Sequence, residues 1–478
     1  MAENKRIIRV MVGLCSLFLA LVVYLTFIQL FKSKSLIANT YNRRQVKIEE
    51  NTARGNIYDR NGVLLAYSEK NGEQQERIYP FGPLYSHVIG YNSKVYGKSL
   101  IEAAYNRELL GINEYSQVFG MASSSNYPGR KGDNIYLTID HELQALGGEL
   151  LQGRKGAVVA MDPKTGEVLA LVSSPSFNPG AKELEKNWQV MVESQDAPFL
   201  SRATQGLYPP GSTFKILITA AAIEKGLENE IYNDKGSIVI DEREIRNSAG
   251  KAYGEIDLKK ALAVSSNVVY AQLGVTLGEG SLKDIAQRAK FGKEIDFDIP
   301  VSASRFPHDS MSKTDLAESA IGQGKVLVTP LHMAMITSGI ANGGVMMKPL
   351  LVKKLEDPDG KTDKDAKSAE FSKIMSKDVS EKIKVMMQEV VVSGTGHNAA
   401  IQGINVAGKT GTAENELSVK KKAKEHSWFV GFAPVEDPKI AVAVIVEYGG
   451  SGSDTAAIIA RNIIKKYLLE QKTSENKN

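Results

Sequence analysis

The chain has 478 residues, 42% hydrophobic and 24% charged, with a net charge of +4; this fits two or three packed domains and excludes a disordered or collagen-like polymer. Lys5, Arg6 and Arg9 against Glu3 give the first 31 residues +2 of that charge, so the remainder is nearly neutral and carries no basic field of the size nucleic acid requires. The single cysteine, Cys15, excludes an intrachain disulfide or a Cys-ligated metal site, and the six histidines are never spaced i, i+4, which argues against a zinc hydrolase.

Val10 to Phe31 is a run of 22 residues without a charge. As a helix it spans about 33 Å, the thickness of a bilayer's hydrocarbon core. The basic residues before it assign residues 1–9 to the cytoplasm and send the rest of the chain across the membrane, although Lys32 and Lys34 on the far side weaken that bias. A cleaved signal peptide is the alternative, but the apolar run exceeds the usual ~7–15 residues and no A-x-A site follows closely. An exported ectodomain without cysteines fits a cell-surface protein of a Gram-positive cell.

Residues 32–150 read as a small juxtamembrane α+β module. A polar connector runs to Asn51, then Arg54–Ala66 places an Asp/Asn-Gly turn between two apolar runs, the pattern of a β-hairpin. Leu100–Leu110 is its one helical patch. A larger domain, residues 151–470, opens with the hairpin Gly156–Met161, Asp162–Gly166, Glu167–Val172. Helical stretches follow at Lys215–Lys225, Leu258–Leu273, Pro330–Ala341 and Ser380–Val392, then a strand at Ile440–Val446 and a helix at Asp454–Leu469. Hairpins at both ends predict an antiparallel sheet surrounded by helices. The charged stretches Asp357–Lys377 and Lys420–Glu425 read as solvated loops, and residues 471–478 as a disordered tail.

Candidate chemistry begins at Tyr208-Pro209-Pro210-Gly211-Ser212-Thr213-Phe214-Lys215, where a Pro/Gly break runs into an apolar helix. Ser212 opens that helix, and Lys215 lies one turn on along the same face, so its amine can approach the hydroxyl. A buried lysine near other cations can lose its proton and serve as a base, while helix N-terminal amides favour a developing oxyanion. The simpler reading makes Ser212 an N-cap and Lys215 a surface residue. Ser-x-x-Lys occurs five times, starting at Ser212, Ser248, Ser310, Ser418 and Ser474, and only the first opens an apolar helix. A second element, Ser265-Ser266-Asn267, offers a proton-relaying hydroxyl and a substrate-holding amide, or alternatively a plain capping turn. In a third, Val406–Ala413, Lys409, Thr410, Gly411 and Thr412 read as a strand edge whose small residues admit a substrate backbone and whose lysine and hydroxyls can hold a carboxylate. A second Lys-Thr-Gly, at Lys164–Gly166, sits at a hairpin tip and reads as structural.

The order Ser212…Lys215, Ser265…Asn267, Lys409-Thr410-Gly411 resembles the serine active site of penicillin-binding proteins and class A β-lactamases. Tyr208–Lys215, Ile321–Gly324, Thr329–Leu331, Gly394–Gly396, Ser427–Pro434, Arg54–Gly62 and Leu137–Gln144 extend the likeness over essentially the whole chain, which resembles a short class B penicillin-binding protein. One departure is Gly97–Glu102, where the family usually has glycine in place of Leu100; the small N-terminal module is another. The resemblance implies an α+β transpeptidase fold and a membrane-anchored peptidoglycan D,D-transpeptidase acylated by β-lactams. By that likeness Ser212 attacks between two terminal D-alanines, Lys215 is the general base, Ser265 relays the proton, Asn267 binds substrate and positions Lys215, and Lys409, Thr410 and Thr412 hold the carboxylate. The backbone amides of Ser212 and Thr412 would form the oxyanion hole. The mechanism implies no metal or organic cofactor.

About 120 residues between membrane and transpeptidase domain amount to roughly one small domain, too few for a glycosyltransferase besides. The resemblance therefore implies a polytopic glycan polymerase of the shape, elongation, division and sporulation (SEDS) family as partner. A D,D-carboxypeptidase or β-lactamase shares the motifs and is separated by the product formed with an amine acceptor. A β-lactam-sensing scaffold is disfavoured by a cytoplasmic tail of about nine residues, too short for a signalling domain.

Overall fold

The computed structural model describes residues 2–28, 52–71, 74–112, 130–415, 418 and 423–475. Helix α1, Ala2–Phe27, contains the apolar span Ile7–Phe27, 21 residues with a mean hydropathy of 2.5 and no burial against the rest of the protein. It begins before Val10 because helical hydrogen bonding continues through the basic residues; Phe31 and the connector to Asn51 lie outside the described residues.

Strands β1 (Ile57–Tyr58), β2 (Leu64–Asn71) and β3 (Gln74–Ile78) form the expected hairpin and its continuation, with Gly62 at φ +87° supplying the first turn. Asp59 stabilises that turn by accepting the amides of Asn61 and Val63 at 2.8 and 2.7 Å. The single helical patch expected at Leu100–Leu110 is two short helices, Leu100–Ala104 and Asn106–Leu109, broken at Tyr105, whose φ of −108° leaves the helical range. Between the hairpin and these helices lies a buried cluster in which Glu102 accepts from Arg54 Nε at 2.5 Å and from Arg77 Nε at 2.7 Å.

Strand β4 (Asn134–Leu137) pairs parallel with β1, and helix α2 (His141–Leu150) follows, its N-cap Asp140 accepting the amides of Glu142 and Leu143. Although it lies in the segment expected to belong to the juxtamembrane module, α2 packs on the catalytic sheet, with Gly147 against Val172 and Val158. That sheet is formed by β5 (Gly156–Met161), β6 (Val168–Ser174) and three later strands. Helix α3 (Lys215–Glu224), α4 (Leu258–Ala263) and α5 (Asn267–Arg288) come next. The stretch expected to be one helix over Leu258–Leu273 is interrupted between α4 and α5, where Ser265 adopts φ +60°. Helix α6 (Pro330–Ala341) is buried on every side, with proline at its first position and Thr329 capping the His332 amide.

The charged stretch Asp357–Lys377 is more ordered than a solvated loop. Strands β7 (Val352–Glu356) and β8 (Thr362–Asp365) join the N-terminal sheet, and Glu370–Lys373 pairs with Val345–Met347, because backbone pairing is compatible with charged side chains pointing outward. The N-terminal sheet has six strands in the order β8-β7-β4-β1-β2-β3. Helix α7 (Lys377–Val392) starts at the Ser376 cap. Strands β9 (Ala407–Ala413), β10 (His426–Ala433) and β11 (Ile440–Val446) complete a fully antiparallel catalytic sheet, β6-β5-β11-β10-β9. Helix α8, Ala456–Glu475, runs five residues into the expected tail. Lys420–Lys422 lie outside the described residues.

Alternation across the catalytic sheet divides its core. Ala157, Val159 and Met161 face α6, while Val158, Ala160, Val442 and Val444 face α2 and α8. Covered on both sides, these strands read as continuous apolar runs, and β9 alone of the two edges lies beside α7 and the turn that leads into α3. The α+β class expected from the hairpins is the one observed.

Candidate active site

Gly211, at φ +53°, starts a 3₁₀ turn over Gly211–Phe214 that feeds α3. Only glycine fits here, because a Cβ would lie 2.8 Å from the Thr412 carbonyl oxygen; Gly322 is confined more severely, its Cβ position being 2.0 Å from the Gly211 oxygen. The Gly211 amide donates to Gly322 O at 2.9 Å, and Phe214 is buried beside Phe291 and Phe306. Thr213 and Phe214 are thus fixed inside, leaving Ser212 half-exposed at the floor of a cleft of about 840 Å³.

Helix α3 is buried on every side from Lys215 to Ile223, so it carries Lys215 fully into the interior. Lys215 Nζ donates to Ser265 O at 2.8 Å, Ser265 Oγ at 3.3 Å and Asn267 Oδ1 at 2.8 Å. The left-handed conformation of Ser265 turns both its oxygens towards that amine. The Tyr270 ring lies beneath, its centroid 5.1 Å from the nitrogen. Among the described residues no hydrogen bond joins Lys215 to Ser212; the lysine is tied to the Ser265–Asn267 loop while the serine faces the same cleft.

Edge strand β9 brings Lys409 in from the opposite side, also fully buried. Its Nζ donates to Ser265 Oγ at 2.8 Å and to Thr410 O at 2.9 Å. Thr410 Oγ1 shares a 2.6 Å hydrogen bond with Thr395 Oγ1, and Thr412 is exposed at the cleft wall. Gly411 has no room for a side chain, since a Cβ would lie 2.9 Å from both Thr213 Cγ2 and Trp428 Cβ. Ser212, Lys215, Ser265, Asn267, Lys409, Thr410, Gly411 and Thr412 therefore converge from one turn, one interhelical loop and one sheet edge.

Two amines on one hydroxyl oxygen disfavour two full charges. Burial pushes Lys215 well below the ordinary lysine range, and the neighbouring Lys409 lowers it further, against an opposing pull from Asp234. Burial pushes Lys409 down to about 7. The other Ser-x-x-Lys matches lack this setting: Ser248 also lines the cleft, but Lys251 and Lys313 are exposed, and Lys421 and Lys477 lie outside the described residues. The second Lys-Thr-Gly is a turn with Gly166 at φ +79° and Lys164 paired with exposed Asp437 at 2.6 Å.

Sequence reasoning missed Asp234, Asn247, Tyr270 and, as a contact of Thr410, Thr395. Asp234-Lys235-Gly236 and Asn247-Ser248 have turn composition, and nothing local separates them from ordinary loops.

Residues 156–465 match the family model described as the penicillin binding protein transpeptidase domain, and residues 54–135 match that described as the penicillin binding protein A dimerisation domain. The chain is 32% identical to the peptidoglycan D,D-transpeptidase PbpA of Mycolicibacterium smegmatis over 98% of this chain and 99% of that one. It is 30% identical to the peptidoglycan D,D-transpeptidase MrdA of Acinetobacter baumannii over 92% of this chain and 73% of that protein. Among solved structures, the ceftriaxone acyl-enzyme of penicillin-binding protein A from M. tuberculosis aligns with a TM-score of 0.82 at 32% identity, covering 88% of this chain and 99% of that one. The D,D-transpeptidase domain of a peptidoglycan glycosyltransferase from Eggerthella lenta aligns at 0.79 and 36% identity, covering 88% and 99%.

Proposed function

Since the chain belongs to the penicillin-binding protein transpeptidase family, we propose that it is a membrane-anchored peptidoglycan D,D-transpeptidase acting through an acyl-enzyme on Ser212. The observation that carries the reading is the shared oxygen of Ser265, which accepts from Lys215 at 3.3 Å and from Lys409 at 2.8 Å beside the Ser212 cleft. A hydroxyl has two acceptor lone pairs and one proton. Once neutral, Lys215 keeps two N–H groups, which Ser265 O and Asn267 Oδ1 take at 2.8 Å, so its lone pair can exchange a proton with Ser265 Oγ across the 3.3 Å contact, and Ser265 can pass that proton to a leaving amine.

In the proposed cycle neutral Lys215 takes the proton of Ser212 as its oxygen attacks the penultimate D-alanyl carbonyl carbon. The backbone amides of Ser212 and Thr412 receive the oxyanion. The amide C–N bond breaks as Ser265 delivers its proton to the departing D-alanine nitrogen, and Lys215 returns a proton to Ser265. An amine from a neighbouring stem peptide then attacks the ester carbonyl, its proton passes by way of Ser265 and Lys215 to Ser212 Oγ as the C–O bond breaks, and the cross-link is formed. Lys409, Thr410 and Thr412 hold the terminal carboxylate, Gly411 lets the substrate backbone approach β9, and Asn267 binds the peptide while fixing Lys215. Burial supports the base role, since it lowers the Lys215 pKa well below the ordinary lysine value and so favours the unprotonated amine a base requires. β-Lactams would acylate the same oxygen.

The span Ile7–Phe27, preceded by Lys5 and Arg6, supports a single anchor with a cytoplasmic N-terminus. We assign a SEDS-family polymerase as the membrane partner that supplies glycan strands, in a Gram-positive envelope. The test is labelling with fluorescent penicillin followed by turnover of a D-Ala-D-Ala stem peptide with an amine acceptor. Labelling is expected to vanish in Ser212→Ala with the melting transition retained, and the wild type to form the cross-linked amide. Persistent labelling rejects Ser212 as nucleophile, and release of free acid alone replaces the transpeptidase by a carboxypeptidase.

A further inference from the structure

Ser265 holds a left-handed conformation, φ +60°, that costs a residue with a side chain about 1–2 kcal/mol. The catalytic loop is therefore held from outside, and the holding groups come from a small β-rich insert between α3 and α4. In it strand Tyr232–Asp234 pairs with Gly254–Ile256, and strand Ser237–Ile240 with Arg243–Arg246. Asp234 ends the first strand and Asn247 follows the third; they are 1% and 5% exposed.

Asp234 receives Asn247 Nδ2 on both carboxylate oxygens at 2.8 Å, the Gly236 amide at 2.8 Å and Ser266 Oγ at 2.5 Å. Among the described residues it has no salt-bridge partner. Asn247 Oδ1 accepts the first two amides of α5, Asn267 N at 2.8 Å and Val268 N at 3.1 Å, while Ser266 Oγ accepts the third, Val269 N, at 3.0 Å. Asn267 Nδ2 is tied to Arg246 O at 2.8 Å, which aims its Oδ1 at Lys215. One buried carboxylate thus orients an amide and a hydroxyl, and these two occupy every free donor of the α5 start on which Asn267 sits.

We propose that Asp234 and Asn247 are positioning residues of the active site, setting the register of Ser265 and Asn267 so that a single hydroxyl serves both lysines. This rests on the reading of Ser212 as the acylated residue. Polarity is what distinguishes it from generic packing. Asp234→Asn points an NH2 group at the NH2 of Asn247 with almost no change in volume. The exchange Asp234→Asn with Asn247→Asp restores a donor facing an acceptor and still presents an acceptor to the α5 amides, although it sets an oxygen against the Lys251 carbonyl to which Asn247 Nδ2 donates at 2.8 Å, so recovery is partial.

The test is the acylation of the full chain by fluorescent penicillin, resolved into reversible affinity and the first-order acylation constant, beside thermal melts. Asp234→Asn is expected to lower the acylation constant by about 10- to 100-fold, the scale of a displaced catalytic group. Reversible affinity is expected to change less than about threefold, and the exchange variant to acylate faster than either single variant. Wild-type acylation in folded Asp234→Asn overturns the proposal, as does an exchange variant no faster than the single ones. Should Asp234→Asn fail to fold, Ser266→Ala removes the link from the carboxylate to the loop together with the cap on Val269 N, and an unchanged acylation constant there overturns it equally. Failure of the underlying reading shows differently, as labelling that persists in Ser212→Ala.

Discussion

Lys409→Met separates what the active site requires from what the fold prefers. Burial holds the amine at about 7, whereas the unfolded chain titrates near 10.4. Unfolding near neutrality therefore takes up a proton, so stability rises with pH from about 7 to about 10.4. By that linkage the folded state forgoes about 4 kcal/mol at pH 7 and under 1 kcal/mol at pH 10. Methionine of similar length removes the term but leaves Ser265 Oγ and Thr410 O without a donor they now receive at 2.8 and 2.9 Å, a loss of about 2–3 kcal/mol for the two. Relief of Lys215, which Lys409 pushes down, has the same sign at pH 7 and fades at high pH. The variant should be more stable than wild type by about 1–2 kcal/mol at pH 7 and less stable by a similar amount at pH 10. For a domain of this size that is a midpoint rise of about 2–3 °C which reverses sign. Paired thermal melts of the detergent-solubilised chain at pH 7, 8.5 and 10 measure it, with penicillin acylation lost at every pH. A difference that does not move with pH, or that favours wild type most at pH 7, refutes the reasoning.

Gly322→Ala should cut acylation more than about 100-fold, because a methyl 2.0 Å from the Gly211 oxygen must displace the nucleophile turn; Gly226→Ala, with similar φ (+75° against +73°) but open space, should cost about 1 kcal/mol and leave acylation unchanged. Burial alone raises the Glu102 carboxyl, but Arg54 and Arg77 outweigh it and hold it at about 2, so its contribution of about 3 kcal/mol is present above pH 4.5 and lost as pH falls through 2. Glu102→Gln should cost about 3–5 kcal/mol at pH 7 by stranding two buried guanidiniums, and should flatten the acid limb of a denaturation profile. Leu100 sits at φ +49°, so Leu100→Gly, which exchanges lost packing for relieved strain, should melt higher than Leu100→Ala, which loses packing and keeps the strain.

What the sequence made legible follows from the range of the forces involved. β5 and β11 are uninterrupted apolar runs because both faces are covered, and α6 announces itself by Thr329-Pro330, a cap followed by a residue already locked at helical φ. Ser212 was readable because a Pro-Pro-Gly break before an apolar helix is local. The Ser265 kink was not, since no glycine marks it and the left-handed turn is imposed by Asn247 and Asp234 from 18 and 31 positions upstream. Nothing local marks Glu102, which is fully buried because its two arginines arrive from Arg54 and Arg77, far upstream. The pairing of β4 with β7, which joins Asn134 to Glu356, has no local signature at all.

That pairing changes what the border between the two matched segments means. β7 and β8 leave the catalytic half soon after α6 and complete the N-terminal sheet against β4, with Val352 and Leu355 buried. Asp298 stiffens the crossing by accepting the amides of Leu351 and Val352 at 3.0 and 3.1 Å and the hydroxyl of Tyr105 from the N-terminal helices. A chain cut at residue 151 therefore loses more than a dispensable spacer. It loses α2 from the catalytic sheet and leaves the inner edge of β7 without its partner, exposing backbone donors and apolar side chains together. Such a fragment should melt well below the full chain and aggregate, whereas a fragment beginning at residue 52 keeps both sheets and should retain penicillin acylation. Equal melting of the two fragments would mean that the shared strands carry no cooperative stability, and that the N-terminal sheet and the catalytic sheet fold as separate units despite being covalently interleaved.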